Sequence, residues 1–270
     1  METERQIEIM HSYNLEASDN AFHFHDHYEV YIFLRGDVDI FVEQSCYPMQ
    51  RGHLVVFNDK EIHRACYHGK EPYERRILHV SPKIVQSLSS DKSNLLQCFQ
   101  NRKFGTNNAV LLSEEQLSEV MDITEKLKDV IKTSQYGDDI LLNAYVSIFL
   151  TNVNKVFLEN QSVIPKCSHG LIFDILVFID SSLNADLSLE TIAKHFSIDR
   201  YYLCHVFKTQ TGTSLYQYIL MKKISVARQY LAEGKSVTEA CTLSGFNDYS
   251  NFIRTFKKVT GISPGKYTSR

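Results

Sequence analysis

The chain repeats itself near its C-terminus, and that repeat limits what it can fold into. The segment IDRYYLCHVFKTQTGTSLYQY (198–218) aligns with NDYSNFIRTFKKVTGISPGKY (247–267) at a shift of 49 residues. Asp199 matches Asp248, Leu203 matches Phe252, Phe207 matches Phe256, and Lys208 matches Lys257. The pairs Thr211-Gly212 and Thr260-Gly261 also coincide, as do Tyr218 and Tyr267. A shorter helical segment precedes each copy, LETIAKHFS and VTEACTLSGF. Each carries a small residue, Ala193 or Ala240, where another helix can approach closely. Helix, tight turn and helix, given twice, is the plan of two helix-turn-helix units.

Within each unit an apolar pair at i, i+4, Leu203/Phe207 or Phe252/Phe256, fixes which face of the second helix is buried. The opposite face carries Arg200, Tyr201, Cys204, His205 and Lys208 in the first copy. In the second it carries Tyr249, Ser250, Asn251, Arg254, Lys257 and Lys258. Polar, aromatic and basic side chains on an exposed helix suit entry into a DNA major groove. Between the copies, SLYQYILMKKISVARQYLAEG (214–234) reads as one long helix ended by Gly234. About 19 helical residues span roughly 28 Å, close to the ~34 Å turn of B-DNA.

Charge supports the same division. Residues 166–270 hold 13 Lys+Arg against 8 Asp+Glu, a balance of +5. The preceding part holds 29 − 13 = 16 basic and 32 − 8 = 24 acidic groups, a balance of −8. A basic C-terminal part on an acidic body points to a polyanion for one half only.

The first half reads differently. Residues 22–80 are β-rich: EVYIFLRGDVDIFVE places two runs around Gly36-Asp37, a hairpin signal, and RGHLVVF and YERRILHV add further strands. Ser113 with Gln116 forms a capping box for a helix to about Thr133, with the stripe Leu117, Val120, Met121, Leu127, Val130, Ile131. A second helix after Gly137 carries Ile140, Leu141, Ala144, Tyr145, Ile148, Phe149, Val153 and Val156. Such stripes pack against the β domain or pair with a second subunit. ENQSVIPKCS (159–168) has the character of a linker.

The stretch FHFHDHYEV (22–30) places His23, His25, His27 and Glu29 on alternate positions. As a strand it turns all four to one face, leaving Tyr28 for the core. Imidazoles with a carboxylate suit either a metal ion or a polar ligand pocket.

Residues 170–270 resemble the DNA-binding domain of AraC/XylS-type bacterial transcription regulators, through the paired units, the long connecting helix and the tail SGFNDYSNFIRTFKKVTGISPGKY. The N-terminal 160 residues resemble the cupin-like sensor domain common in that family. The resemblance implies an α+β chain: a cupin-like β-barrel effector-sensing domain over 1–110, a helical dimerisation segment over 111–160, a linker over 161–169, and an all-α double helix-turn-helix domain over 170–270. It implies a non-enzymatic regulator, an activator by expectation, responding to a small-molecule effector such as a sugar. The expected partners are promoter DNA, RNA polymerase and a second copy of the chain.

His23, His25, Glu29 and Gly36 also have the spacing of the first cupin motif, and His63 falls where the second motif places its histidine. The leading glycine of the first motif is Ala17 here, and the second motif's proline and glycine are Asn58 and Lys60. His23, His25, Glu29 and His63 are therefore read as effector-binding, with no cofactor expected and a metal held by the same four as the alternative. The rival functions are a metal-dependent cupin enzyme, or a regulator whose N-terminal domain only dimerises or binds a partner protein. The six cysteines form no CxxC pair, no long apolar run is apparent, and METERQIEIM lacks the apolar core of a signal peptide, so a reducing cytoplasm without membrane contact is the expectation.

Overall fold

A computed structural model describes residues 7–14, 21–69, 71–100, 102–133, 135–160, 162–165 and 170–268. Position 17, and most of the expected linker (161 and 166–169), lie outside the described residues.

Eight strands are described: β1 (Ile7–Asn14), β2 (Tyr28–Arg35), β3 (Val38–Val42), β4 (Ser45–Pro48), β5 (His53–Phe57), β6 (His63–Tyr67), β7 (Tyr73–Val80) and β8 (Ala109–Leu111). They form two antiparallel sheets, ordered β1-β7-β2-β5-β8 and β4-β3-β6. Strand β2 is buried on both faces. Tyr28, Val30, Ile32 and Leu34 face the helices, while Tyr31 and Phe33 pack between the sheets with Val38, Ile40, Tyr47 and Phe57. Burial of both faces explains why its sequence is a continuous apolar run rather than an alternation.

The hairpin expected at Gly36-Asp37 does not form. Strand β2 pairs with β5 and β7, and β3 pairs with β4 and β6, so the chain crosses from one sheet to the other at this point. Gly36 makes the corner at φ +128°, which side chains rarely tolerate. The hairpin lies one strand later, between β3 and β4 at Glu43-Gln44, with Val42 opposite Ser45. Strand β1 is not legible in the sequence because its polar residues lie among the apolar ones without strict alternation.

Helices α1 (Pro82–Leu88), α2 (Gln97–Gln100), α3 (Glu114–Lys132) and α4 (Asp138–Glu159) cover the outer face of the larger sheet. The capping box at Ser113 and Gln116 starts α3 as expected. Leu117, Val120, Ile123 and Leu127 of α3 share one core with Val146, Phe149, Leu150, Val153 and Val156 of α4 and with the sheet. Leu127 is fully buried inside its own chain and cannot face a second subunit. By length and composition alone α4, with 22 residues, is apolar enough to cross a membrane; its buried face is the packing surface against the β domain.

The C-terminal helices are α5 (Leu171–Ser181), α6 (Leu189–His195), α7 (Arg200–Thr211), α8 (Leu215–Ala232), α9 (Val237–Leu243), α10 (Tyr249–Thr260) and α11 (Pro264–Tyr267). The repeat recurs in the hydrogen bonds. Asp199 caps α7 by accepting from the backbone N–H of Tyr201 and Tyr202, and Asp248 caps α10 by accepting from Asn251. Thr211 Oγ1 donates to Phe207 O and Thr213 O, and Thr260 Oγ1 donates to Phe256 O and Ile262 O. Gly212 and Gly261 end the two helices in the left-handed conformation.

The units differ in one respect. The left-handed turn residues Ser197 and Gly245 are 48 positions apart, whereas the caps Asp199 and Asp248 are 49 apart. One extra residue thus lies between turn and recognition helix in the second unit, and the turn places Cys241, not Ala240, opposite Ala193. At Gly245 a Cβ would meet the Leu183 carbonyl oxygen at 2.1 Å, so this turn admits glycine alone. Leu203, Phe207, Phe252 and Phe256 are fully buried, which holds the outward faces of α7 and α10 in place.

Helix α8 does more than space the two units. Its Lys222, Ser225 and Arg228 are buried against the β domain. Lys222 pairs with Glu43 of the β3–β4 turn, and with Asp180 at 2.7 Å. Ser225 donates to the Lys60 carbonyl at 2.6 Å, and Arg228 pairs with Asp26 while its guanidinium lies over Phe24.

Candidate functional site

The outward face of α7 presents Arg200, Tyr201, His205 and Lys208 to solvent, and that of α10 presents Tyr249, Ser250, Arg254, Lys257 and Lys258. Cys204 and Asn251 are half-buried and sit at the edges of those faces rather than on them. Tyr201 is 81% exposed, and its ring stacks parallel to His205. An aromatic ring left this open costs apolar hydration and suits a surface completed by another molecule. Arg200 is paired on the surface with Glu190 of α6, an ion pair in open solvent that a phosphate can displace. Each recognition helix therefore combines apolar anchorage on one side with cations and hydrogen-bonding groups on the other.

In the β domain, the expected strand over 22–30 begins only at Tyr28. Residues 21–27 run irregularly, held by an isolated bridge between His23 and His63 with N···O distances of 3.1 and 2.9 Å. Three of the four expected residues still converge. The Glu29 carboxylate, nearly buried, has His25 Nε2 at 2.8 Å and His63 Nε2 at 3.7 Å. His79, which the sequence motifs do not mark, brings its Nε2 to 2.8 Å. It lies on β7, where Glu29 and His79 are register partners, a pairing that the linear sequence does not carry. His23 packs its ring against His63 at 4.5 Å, and His27 stacks on His79 from outside. Tyr28 points the other way and stacks on Phe99, as expected.

The electrostatics follow from burial. Burial alone would raise the Glu29 carboxyl, but His25, His63 and His79 outweigh it and hold Glu29 well below the usual carboxylate range. Burial, with His63 adding to it, lowers His23 to about 4. Burial lowers His25 too. For His63 burial works downward and the facing Glu29 overcomes it, so that imidazole is raised.

A cavity of about 210 Å³ lies between the two halves of the chain, lined by Phe22, Phe41, Gln44, Arg64, Ile172, Phe173, Leu176 and Gln210 among others. Phe22 and Arg64 flank the His23–His63 bridge. Phe22 N donates to Thr213 Oγ1 at 3.1 Å, and its ring meets Tyr218 edge-on at 5.0 Å. Arg64 lies over the Phe22 ring and donates to the Gln210 carbonyl at 3.2 Å.

A ligand-sized space against a β domain, in contact with a helical domain that displays two recognition helices, defines a ligand-responsive DNA-binding protein. Comparison with known proteins agrees. Residues 9–149 match the AraC-like ligand binding domain, and residues 192–270 match a helix-turn-helix domain. The chain belongs to the AraC family of transcriptional regulators. It is 22% identical over 261 residues to the "Probable transcriptional regulator LumQ" of Photobacterium leiognathi, covering 95% of this chain and 96% of that one. It is 33% identical over 97 residues to the multiple antibiotic resistance protein MarA of Escherichia coli, covering 36% of this chain and 76% of MarA. Among solved structures, an apo form of ToxT from Vibrio cholerae aligns over 100% of this chain and 99% of that chain, at 16% identity and a TM-score of 0.41.

Proposed function

We propose that this regulator is a homodimeric, cytoplasmic transcription activator that recruits RNA polymerase and takes its effector in the cavity between its two halves. The observation that carries the effector reading is the cavity's position. Its walls come from the β domain (Phe22, Phe41, Gln44, Arg64) and from the helical domain (Ile172, Phe173, Leu176, Gln210). A ligand touching both has a different affinity for docked and undocked arrangements, and that difference is what shifts a conformational equilibrium. The lining favours a compact apolar molecule bearing an oxygen that accepts from the Arg64 guanidinium, rather than a hydroxyl-rich sugar. None of His23, His25, Glu29 and His63 lines this cavity; His25 and Glu29 engage each other instead.

The chain contains no tryptophan, so Phe173→Trp installs a single indole, excited selectively beyond the tyrosine absorption, in the cavity wall. Compounds that switch transcription from the regulator's own promoter are expected to shift or quench that emission at saturating concentration. If active compounds leave the emission unchanged while binding the protein, the effector sits elsewhere.

The dimer reading rests on α4. Beyond its core face it exposes Ile140 (69%), Leu141 and Ile148 (47%), with Ala144 between them at helical spacing. Isoleucines this open on one helix face support contact with a second copy. Ile140→Glu with Ile148→Glu is expected to leave the fold intact and yield monomers in sedimentation at micromolar concentration. A wild-type chain that is already monomeric there removes the proposal. A charge at Leu127, by contrast, is expected to unfold the protein because that side chain is core.

The DNA contacts proposed are Arg200, Tyr201, His205 and Lys208 from α7 and Tyr249, Ser250, Arg254 and Lys257 from α10, with Cys204 and Asn251 at the margins.

A further inference from the structure

The middle of each outward face is set by the residues buried behind it. Successive residues of an α-helix lie about 100° apart around its axis. In α7 the buried pair Leu203 and Phe207 sets the inward direction, and His205 lies directly opposite. Tyr201 and Thr209 stand about 40° to either side of His205, and Tyr202 and Lys208 about 60°. In α10 the pair Phe252 and Phe256 is inward. The residue opposite is Arg254, with Ser250 and Lys258 about 40° to either side. Tyr202, 52% exposed, and Thr209 therefore belong to the outward face of α7, although the sequence repeat does not mark them.

The two faces differ in chemistry. The middle of the α10 face is cationic, with Arg254 and Lys258 both exposed. The middle of the α7 face holds Tyr201, Tyr202, His205 and Thr209, without a lysine or arginine. Its cations stand at the margins, Lys208 in the last turn and Arg200 paired with Glu190. The rings of Tyr201 and His205 lie 4° from parallel with centroids 6.4 Å apart. Asp199 accepts from the backbone N–H of Tyr201 at 2.7 Å and of Tyr202 at 3.1 Å, which fixes the turn that carries both tyrosines. Tyrosine offers a large, rigid surface at low cost in conformational entropy. Such a surface gains most where it meets another apolar group. In the major groove the C5 methyl of thymine is that group, whereas guanine presents the O6 and N7 acceptors that a guanidinium fork meets together.

We propose that the two units read different bases. Helix α7 takes a thymine-rich block by packing Tyr201, Tyr202 and His205 on C5 methyl groups, and α10 takes a guanine through Arg254. This rests on α7 and α10 being the helices that enter the groove, and goes beyond that reading by assigning a base chemistry to each. The DNA site of one chain is then asymmetric, thymine-rich at one end and guanine-bearing about one helical turn away. A single chain accordingly has a fixed direction on the duplex.

The test uses the full-length protein and a random-sequence duplex library. Selection gives the bound sequences, and the variants Tyr202→Ala, His205→Ala and Arg254→Ala show which block belongs to which helix. The first two are expected to relax a thymine-rich block, and the third a block containing guanine. Deoxyuridine in place of thymine deletes only the methyl group. In the α7 block it is expected to lower affinity about 4-fold per contacted methyl, and in the α10 block to change nothing. Guanine replaced by 7-deazaguanine, which lacks the N7 acceptor, is expected to lower affinity about 5-fold or more in the α10 block alone. Tyr202→Ala is expected to keep the salt dependence of wild type, since no phosphate contact is lost. A block relaxed by Tyr202→Ala that lacks thymine, or that is indifferent to deoxyuridine, would overturn the proposal. So would an equal loss on random DNA for Tyr202→Ala and His205→Ala. If binding persists and none of the three variants relaxes any block, the reading of α7 and α10 as groove helices fails along with it.

Discussion

Glu43→Ala is expected to destabilise the full-length chain by about 3–5 kcal/mol, the usual cost of leaving a buried charge without its partner. Glu43 is fully buried in the β3–β4 turn, where one carboxylate oxygen accepts from the Ile62 backbone N–H and the other from Lys222 of α8. Burial works to lower the Lys222 ammonium, but Glu43, with help from Asp180, outweighs it and holds the amine above the usual lysine range. Without Glu43 the ammonium keeps Asp180, which is partly open to water. Lys222→Met together with Glu43→Gln is expected to recover most of the loss, because replacing a buried pair by groups that need no counter-charge is close to neutral. Urea unfolding of the two variants measures both effects. A loss under about 1 kcal/mol for Glu43→Ala would show that α8 is not held to the β domain by this pair. The same variant is expected to uncouple transcription from effector, since Lys222, Ser225 and Arg228 tie the two halves together.

These ties show where sequence reading reaches its limit. Both recognition helices and their buried pairs are legible because each is local: Leu203 with Phe207, Phe252 with Phe256. The capping box of α3 is legible for the same reason. What fails depends on partners far along the chain. Gly36-Asp37 has hairpin composition, yet which sheet receives β3 is decided by β6, more than 20 residues on. Leu127 has the spacing of an interface residue, and only the opposing α4 shows that it is core. Lys222 and Arg228 read as solvent-facing cations on a spacer helix until Glu43 and Asp26, 179 and 202 residues away, come opposite them. His79 joins Glu29 only through strand register, so motif spacing could find His23, His25 and His63 but not the full cluster the fold assembles.

The DNA affinity of the full-length protein is expected to fall steeply with salt, by roughly 10³-fold or more between 50 and 200 mM if six or more phosphates are neutralised. Lys208 lies in the last turn of α7, and Lys257 and Lys258 in the last turn of α10, where long cationic side chains reach outward to a sugar-phosphate backbone. Arg254 sits nearer the middle of α10, exposed and on the face set by buried Phe252 and Phe256, so it is placed to meet base edges. The two substitutions should therefore part company. Lys257→Ala is expected to weaken all duplexes alike and reduce the log–log salt slope by about 1. Arg254→Ala is expected to cost about 1–3 kcal/mol on the specific site, leave random DNA nearly unaffected, and relax preference at one or two base pairs. Helix α8, 18 residues long and so about 27 Å, separates the two reading heads by nearly one turn of the duplex. Bases lost on Arg254→Ala and on His205→Ala should accordingly lie about 10 base pairs apart on one face of the DNA. Titrations at several salt concentrations, with the cognate and a scrambled duplex, separate these outcomes. Equal losses on both duplexes for Arg254→Ala would assign that side chain to phosphate, and a slope near zero for the wild type would remove the charge argument for this domain.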